Sequence, residues 1–570
     1  MRVTNGMIMK NAASNINSTK EIVDKRNTQM TTQKKISKPS DDPVTAVRSL
    51  RLSTTLSTVT QYYSKNIPDA TSWLDVTETA LINSRDIVAD CRTLANKGAT
   101  GSLNQEDRQT ILNQLESLQS QLYSEGNADY AGRTVFTGFR TDCNLTFTED
   151  ETTTVYEISQ TINAGDGIEE FRYYDGSVTV PTDQTSVENG EISDIAETSW
   201  YKLRAAYDEI KEDSVSAFSY SYTDENEITY TNTYDFSTNT WTQTAKDKDE
   251  NVYTLTDSGV SAVDKDGNTI TATITMEKVN YTITQYDNET EWADYCHTVN
   301  LDENGDPVLG KTVEDDEIVF IAETGEFVFG SNVTNTLMNN NCDISFTYTR
   351  EGFKEGELRP EYYYNCTKTA DENATKLPIE YVKFDEDGNE MTYDINYTVA
   401  NGQTITVNTE ACNVFDSALQ RDLGEMIDAV TNAINAHDKL DTITAMMSES
   451  QYQDEKYQTR LQEWLDAAQK EADYADENLQ KLYETEIGKI DVYYDKINVA
   501  VTDLGCKVDS VTLTKTRMSD QKETVEELQS ENDDVDLSQI IIDYTAAYTA
   551  YQASLVAAGK LGDVTLLNYL

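Results

Sequence analysis

The chain is poor in the residues that most enzymes use for acid–base and metal chemistry. It has only two histidines in 570 residues, His297 and His437, far apart in the sequence. It contains no HExxH, GxSxG, P-loop or dinucleotide-binding glycine motif. Its 101 acidic residues are so abundant that no carboxylate pair stands out as a general acid and base. These absences predict a protein that is not an enzyme and that uses no cofactor or metal.

Cysteine is also sparse and irregularly spaced. The seven cysteines are Cys91, Cys143, Cys296, Cys342, Cys366, Cys412 and Cys506. None belongs to a Cys-x-x-Cys pair, which argues against a zinc site or a disulfide scaffold. Cys91 falls on a helical apolar stripe and is expected to be a small core residue. Cys143 and Cys412 bracket the middle of the chain, so a disulfide between them remains open.

Positive charge is scarce, and the amino-terminal end is the part with a positive net charge. The formal net charge is −56, yet residues 1–66 contain eleven Lys or Arg against four Asp or Glu. A surface this acidic repels phosphate and anionic lipid, so we expect neither nucleic-acid nor membrane binding. No segment has the ~18 apolar residues of a membrane span, and no cleaved signal peptide is recognisable. By these rules alone the protein stays in the cytoplasm unless it leaves by a route without a cleaved signal.

Proline is absent from the last third of the chain, because all seven prolines lie at or before Pro378. That composition favours long helices. A 4-3 apolar repeat runs through the last helix, and a seven-residue repeat runs through the first. The residues expected to pack against other subunits are Met7, Met9, Ile16, Val23, Met30, Leu537, Ile541, Tyr544, Tyr548, Tyr551, Leu555, Leu561, Leu566, Leu567 and Leu570. Such a repeat is the seam of a coiled coil, so both ends are predicted to need partners.

The middle of the chain is rich in Thr, Tyr, Val, Asp and Asn and contains short alternating runs. Tyr397 to Val407 predicts a hairpin around Asn401-Gly402, and Asn189-Gly190 is a second such signal. The stretch from Asn300 to Asp306 imitates the start of a calcium loop but has Lys311 where the loop needs Glu. The fragment Asp385-Glu386-Asp387-Gly388 is similar, and both are interpreted as polar turns.

These patterns predict an α+β protein. Both chain ends are expected to form a long antiparallel α-helical bundle or coiled coil, with a β-rich insertion projecting from the middle. The predicted parts are an N-terminal assembly helix at 1–35, the two halves of a helical domain at 36–142 and 413–534, the β-rich variable insertion at 143–412, and a C-terminal assembly helix at 535–570.

One local motif is more specific. Pro39, Ser40, Asp41, Asp42 and Pro43 lie between two helical patterns. Asp42 is placed to cap the second helix, and Pro43 is placed at its first position, where a missing N–H costs nothing. The motif therefore predicts a capped turn.

Together these segments resemble the flagellin superfamily. The amino-terminal pattern is Val3 to Met7 followed by Lys35 to Val44, and its Pro-Ser-Asp-Asp-Pro form is similar to the hook–filament junction proteins of that superfamily. Gly126-Asn127-Ala128 and the stretch from Gly132 to Gly138 resemble the end of the family's first conserved region. The stretch from Asp536 to Leu570 resembles its carboxyl-terminal helix. The resemblance covers about 1–140 and 500–570 well and 413–500 loosely, whereas the middle matches no named family.

The resemblance implies a structural subunit of the bacterial flagellum that joins hook to filament through coiled-coil packing of its terminal helices. The implied partners are copies of itself, the neighbouring hook-associated junction protein, flagellin, and an export chaperone on the C-terminal helix. It implies secretion through the flagellar export apparatus to an extracellular position at the hook–filament junction. Two alternatives remain: the major filament flagellin, and a flagellin-like protein whose insertion carries an adhesin or enzymatic activity.

Overall fold

Long helices occupy both ends of the chain in the computed structural model, and strands occupy its middle. The structure describes residues 5–101, 103–192, 195–256, 259–292, 313–369, 378–385 and 388–563. Their α-helices are α1 (Asn5–Thr32), α2 (Pro43–Gln61), α3 (Ile67–Gly98), α4 (Gln105–Gly126), α5 (Ala164–Gly167), α6 (Gln184–Asn189), α7 (Ser331–Asn339), α8 (Leu419–Ser448), α9 (Glu455–Asp533) and α10 (Leu537–Asp563). A π-helical turn, Tyr62–Asn66, joins α2 to α3. Short 3₁₀ turns lie at Pro360–Tyr362, Ala411–Asn413 and Ser450–Tyr452.

Nineteen strands are defined among the described residues. They are β1 (Asp129–Tyr130), β2 (Arg133–Thr134), β3 (Glu151–Asn163), β4 (Ile168–Asp175), β5 (Ala196–Arg204), β6 (Ala217–Thr223), β7 (Thr229–Asp235), β8 (Thr240–Lys246), β9 (Val252–Thr256), β10 (Gly259–Val263), β11 (Thr269–Ile270), β12 (Thr282–Tyr286), β13 (Glu317–Ile321), β14 (Glu326–Phe329), β15 (Asp343–Phe353), β16 (Asn365–Thr369), β17 (Ile379–Tyr381), β18 (Asn396–Ala400) and β19 (Gln403–Thr406). The predicted α+β class, with long terminal helices and a β-rich middle, is confirmed.

The chain divides into two compact units. The first comprises Met1–Leu74, Asn396–Val407 and Cys506–Leu570, and the second comprises Asp75–Ile395 and Asn408–Gly505. The domain bounds expected from the sequence stay a prediction. This division differs from them, because its boundaries after Leu74 and Gly505 fall inside the predicted helical domain. The β18–β19 hairpin also belongs to the first unit and not with the other strands. Among the described helices, none combines the length and apolar content that a membrane crossing requires.

Side-chain contacts explain why the hairpin belongs to the first unit. The hydroxyl of Tyr397 donates to the carboxylate of Asp69 on α3. Asn66 of the π-helical turn donates to the carbonyl of Thr398 at 2.7 Å. These contacts are long-range in sequence, so a composition-based boundary does not reveal them. The predicted turn at Asn401-Gly402 is observed, with Gly402 at φ +72°.

The second hairpin signal is wrong. Asn189 is the last residue of α6, and Gly190 follows it at φ −67° without a turn between strands. Asp183 and Ser186 form a reciprocal capping box at the start of this helix. A capped helical turn therefore prevails over the hairpin tendency of the Asn-Gly pair.

The second unit is built around a ten-stranded sheet. Its strand order is β11-β10-β9-β8-β7-β6-β15-β3-β16-β17, and its neighbouring strands run antiparallel. A smaller sheet has the order β12-β13-β14-β5-β4, and only its β12–β13 pair is parallel. Apolar side chains from both sheets share one core, including Phe218, Phe327 and Phe346. The alternating Thr/Tyr-rich sequence explains this arrangement, because alternate residues of a strand face opposite sides of a sheet.

A buried charge cluster joins the smaller sheet to the helices of the second unit. Asp422 of α8 is fully buried and accepts hydrogen bonds from Arg204 of β5 and, at 2.5 Å, from Tyr493 of α9. The amino group of Lys202 lies 2.9 Å from the carboxylate of Glu425. Burial raises the pKa of Glu425, but Lys202 and Arg204 outweigh it, so this pKa lies well below its usual value. Every charge here has an opposite partner, which a buried ion requires.

Glu486 of α9 differs from Glu425 in the direction of its pKa shift. It is fully buried, and its pKa is raised to about 7, first by burial and then by the nearby Asp422. Lys489 lies 2.9 Å from its Oε1 atom and opposes this rise, as does Arg204. The folded pKa exceeds the usual value of 4.5, so proton binding to Glu486 stabilises the fold below that value, and this stability is lost as the pH rises through 7.

We therefore predict that Glu486→Gln changes how stability depends on pH. The wild-type protein loses stability through this group as the pH rises from about 4.5 to about 7, by at most about 1.4 kcal/mol per pH unit. Glutamine does not ionise, so the variant shows a flatter profile. Urea unfolding at several pH values measures the difference, with Glu484→Gln, at an exposed position on the same helix, as control. An identical pH profile in wild type and Glu486→Gln contradicts the assignment.

Close helix packing in the second unit requires a glycine at the end of α3. A Cβ atom at Gly98 would lie 2.1 Å from Cδ1 of Tyr483 on α9. That tyrosine is fully buried, and its hydroxyl donates to the carbonyl of Met426 at 3.0 Å. The ring is therefore held on both sides and has little freedom to move away.

We predict that Gly98→Ala destabilises the protein by roughly 1–3 kcal/mol, the usual cost of overpacking a core. Gly488→Ala is the matched control, because that helical glycine has open space around its Cβ position. The control should stabilise the helix slightly, since alanine favours helix more than glycine does. Equal unfolding midpoints for the two variants would refute the packing argument.

Candidate assembly interface

The terminal helices α1 and α10 pair with each other in antiparallel orientation. Thr19 of α1 and Ser554 of α10 have hydroxyl oxygens 3.3 Å apart. Arg26 lies 3.5 Å from the carboxylate of Asp543. Beyond the helix ends, the backbone N–H of Lys35 donates to a carbonyl of α9 at 2.7 Å. A single chain therefore already supplies each terminal helix with one partner.

The pairing surface is narrow, and it mixes large apolar side chains with small and polar ones. On α1 the half-buried residues are Ile8, Ala12, Ile16, Thr19, Val23, Arg26, Gln29 and Met30. On α10 the buried and half-buried residues include Ile540, Tyr544, Ala547, Tyr551, Ser554 and Ala558. Within the described side chains of the two helices, only Ile540 is fully buried. Half-buried side chains remove only part of their apolar area from water, so this pair stabilises itself weakly.

The predicted packing residues divide between this seam and solvent. Ile16, Val23, Met30, Tyr544 and Tyr551 lie half-buried on the seam. The exposed members are Met7, Met9, Leu537, Ile541, Tyr548 and Leu555, with between 43% and 59% of each side chain accessible. Leu561, Leu566, Leu567 and Leu570 lie outside the residues whose side chains the structure describes.

The exposed members on α10 form a second stripe beside the seam. We call Leu537, Ile541, Tyr548 and Leu555 the outer stripe. Its spacing of four, seven and seven residues keeps it on one side of the helix. Ile542 and Val556 extend it, with 61% and 59% exposure. The helix therefore presents more apolar surface than α1 covers.

The sequence predicted a single apolar stripe on the C-terminal helix, whereas α10 has two, the seam and the outer stripe. It missed Ala547 and Ser554 because small and polar residues give little apolar signal, and it missed Ile540 because the neighbouring Ile541 was assigned to the stripe. Two features of the sequence could have revealed the seam. They are the 4-3 spacing from Ile540 to Ala558 and the opposite charges of Arg26 and Asp543.

The turn that precedes α2 has the predicted capped geometry. The carboxylate of Asp42 accepts hydrogen bonds from the backbone N–H of Val44 at 3.0 Å and from the hydroxyl of Thr45 at 2.7 Å. Pro43 is the first helical residue. Asp41 accepts hydrogen bonds from the backbone N–H groups of Ser37 and Lys38, which closes the turn that Pro39 and Ser40 begin. The predicted cap at Asp42 is therefore confirmed.

The charge on Asp42 is part of this cap. The hydroxyl and N–H of Thr45, followed by the N–H of Val44, hold the pKa of this carboxyl below its usual value. A lowered pKa stabilises the fold above the usual carboxyl pKa, and the contribution is lost as the pH falls through the lowered value.

We predict that Asp42→Ala lowers the thermal midpoint of the helices in the first unit at pH 7, because the first turn of α2 loses its acceptor. The difference from wild type should shrink as the pH falls through the lowered pKa of Asp42, because protonation removes the charge from the cap. Circular dichroism melts at several pH values measure it. Ser40→Ala, in the same turn but outside the cap, serves as control. A deficit that stays constant from pH 7 to pH 2 would show that the charge plays no part.

One cluster of side chains that could bind a metal is found among the described residues, and a lysine already pairs with it. Among the described residues, Glu390, Glu410 and Cys412 have ligand atoms within 4.8 Å of one another. The ammonium of Lys383 lies 2.8 Å from Glu390 and also pairs with Glu410, so the position is neutralised by a protein cation. Burial, followed by the hydrogen bond to Glu390, raises the pKa of the Cys412 thiol to about 12, which keeps it protonated.

The histidines and cysteines of the described residues have structural surroundings. His437 lies 2.9 Å from a carboxylate oxygen of Asp476, which Arg108 also contacts at 2.6 Å. Cys91 is fully buried, as predicted. Cys143 and Cys412 are free thiols, so the disulfide left open by the sequence is not formed. His297, Cys296 and the calcium-like stretch lie outside the described residues.

Comparison with known proteins matches the amino-terminal helices. The model of the bacterial flagellin N-terminal helical region matches residues 3–141. Over this segment the chain is similar to the flagellin superfamily. The match includes the capped turn and helices α1 to α4, so the resemblance inferred from the motifs is confirmed.

Two curated relatives are flagellar proteins. The chain is 27% identical over 143 residues to flagellar hook-associated protein 3 of Salmonella typhimurium, which covers 25% of this chain and 45% of that protein. It is 28% identical over 115 residues to flagellar hook-associated protein 3 of Escherichia coli, covering 20% and 36%. The alignments therefore span less than half the length of these relatives. A solved structure of flagellar hook-associated protein 3 from Legionella pneumophila aligns over 84% of this chain and 97% of its own, at 9% identity and a TM-score of 0.28.

Proposed function

We propose that this chain belongs to the flagellin superfamily and is a structural subunit of the bacterial flagellum, located at the junction between hook and filament. The carrying observation is the outer stripe of α10, an apolar surface that the chain's own α1 leaves exposed. Monomeric proteins rarely display such a stripe unless another molecule covers it. The names of the curated relatives support the same role, and they favour the junction over the filament or an insertion-borne activity.

The proposal extends to partners and location. Neighbouring copies would cover the outer stripe in the assembled zone, and the adjoining hook-associated protein and flagellin would contact its two ends. An export chaperone would cover α10 before secretion through the flagellar export channel to the cell exterior. The function is structural and requires no catalysis or cofactor. The high negative charge supports solubility at the local concentrations that assembly requires.

Genetics tests the role directly. We predict that deleting the gene leaves hooks on the cell, with filaments shed into the medium. The wild-type gene should restore attached filaments. If the deletion strain keeps attached filaments, or if it has hooks and no flagellin in the medium, the junction role is wrong.

The outer stripe can be tested without truncating the chain. The triple variant Ile541→Ser, Tyr548→Ser, Leu555→Ser should remain soluble and folded, because all three side chains are exposed in the single chain. It should fail to restore filament attachment, since the surface that neighbouring subunits cover becomes polar. The control Thr545→Ser, Thr549→Ser, Gln552→Ser changes three exposed polar positions on the same helix and should complement fully. Full complementation by the first variant would contradict the proposed use of the stripe.

A further inference from the structure

The second unit displays a concentrated apolar patch beside the ion-paired Lys383 described above. Six of the eleven exposed large apolar side chains described in this unit belong to it. They are Phe139, Ile379, Val382, Phe384, Met391 and Tyr393, with exposures between 36% and 60%. The rings of Phe139 and Tyr393 lie 4.6 Å apart at a cavity of about 150 Å³, which Val382 also lines. Exposed apolar residues are ordinarily scattered, so this concentration indicates a binding surface.

Carboxylates surround these apolar side chains. The cavity is lined by Glu361, Glu380 and Glu410, and Glu390 lies beside it, paired with Lys383. The cations of this region already form ion pairs with carboxylates of the same unit. Arg140 pairs with Glu361 at 3.2 Å and lies 4.9 Å above the ring of Tyr381, and Lys383 pairs with Glu390 and Glu410.

Negative charge therefore remains at the rim. Glu380 is exposed on β17, the edge strand of the ten-stranded sheet, and makes no ion pair with a described residue. We call this surface the acidic aromatic patch. A partner that fits it must present apolar side chains together with positive charge.

The first unit displays a surface of that composition on α2. Val44, Val47 and Leu50 are 79%, 51% and 67% exposed. Arg48 and Arg51 are also exposed and make no ion pair with a described residue. These five residues follow directly after the Asp42 cap, which fixes the start of the helix. We call them the basic ridge.

We propose that the acidic aromatic patch of one copy of this chain binds the basic ridge of a second copy. Both surfaces are exposed in the single chain, and their apolar and charged parts are complementary. Two different surfaces in contact form a heterologous interface, which repeats from copy to copy and builds polymers. The inference rests on the proposed role as an assembling subunit and names one contact within that assembly.

A photo-crosslinker tests which residues meet. The full chain carries p-benzoyl-L-phenylalanine in place of Phe139 and is irradiated both in concentrated solution and after assembly on purified hooks. We expect cross-links to residues 43–51 of a second copy, identified by mass spectrometry, and a loss of these products on dilution. The same probe in place of Tyr201, an exposed aromatic residue of the second unit outside the patch, should give none to this segment. Cross-links elsewhere, or none between copies, overturn the proposal.

Charge exchange provides the second test. Arg51→Glu and Glu380→Arg should each weaken self-association about tenfold, a change of ~1.4 kcal/mol. The chain carrying both substitutions should regain most of the loss, because the opposite charges face each other again. Lys265→Glu and Glu225→Lys, at exposed turn positions, are the matched controls and should have no effect. Wild-type association by both single variants, or a double variant no better than the weaker single one, refutes the pairing.

The outcomes separate this contact from the proposed function. A wild-type chain that fails to assemble on hooks contradicts the junction role, while the solution cross-links still report on the contact. Normal assembly without cross-links to 43–51 overturns only the contact.

Discussion

The structure depends on how much apolar surface a helix can bury against a single neighbour. Helices in water are held mainly by packing of an apolar face and only weakly by intrinsic propensity. On α10 the seam from Ile540 to Ala558 contacts α1, and the outer stripe at Ile541, Tyr548 and Leu555 stays in water. The single partner helix, α1, covers only one side of α10. Pairing with α1 is therefore sufficient for α10 to form in a single chain, while its outer stripe stays accessible to further chains.

In the second unit, by contrast, the buried groups find their partners within the unit itself. Its buried charges are compensated around Asp422, and Tyr483 packs so closely on Gly98 that no side chain fits there. Such tightly packed regions have one arrangement and resist change. The contrast supports the proposal that the weakly packed helix pair takes part in assembly while the second unit is rigid. The acidic aromatic patch is the main exposed apolar surface among the described residues of the second unit.

The sequence predicted what local patterns encode. The helices, the capped turn at Asp42 and the hairpin at Asn401-Gly402 each rest on neighbouring residues, and each is observed. The sequence did not reveal the seam on α10, because Tyr544 and Tyr551 belong equally to the predicted stripe and to the observed one. The assignment of the hairpin to the first unit depends on Tyr397 reaching Asp69, a contact between residues 328 positions apart. The charge cluster was hidden because acidic residues are abundant everywhere in this chain.

Hydrogen exchange at the backbone amides of residues 540–560 tests the central claim most directly. A helix paired through a narrow seam opens often, and a helix covered on both sides does not. We expect weak protection in the dilute single chain and strong protection in the polymer assembled on hooks. Exchange in 75–98 of α3, which packs within the second unit, should be slow in both states. Strong and equal protection of 540–560 in the dilute chain would show that α10 needs no further partner and would contradict the account.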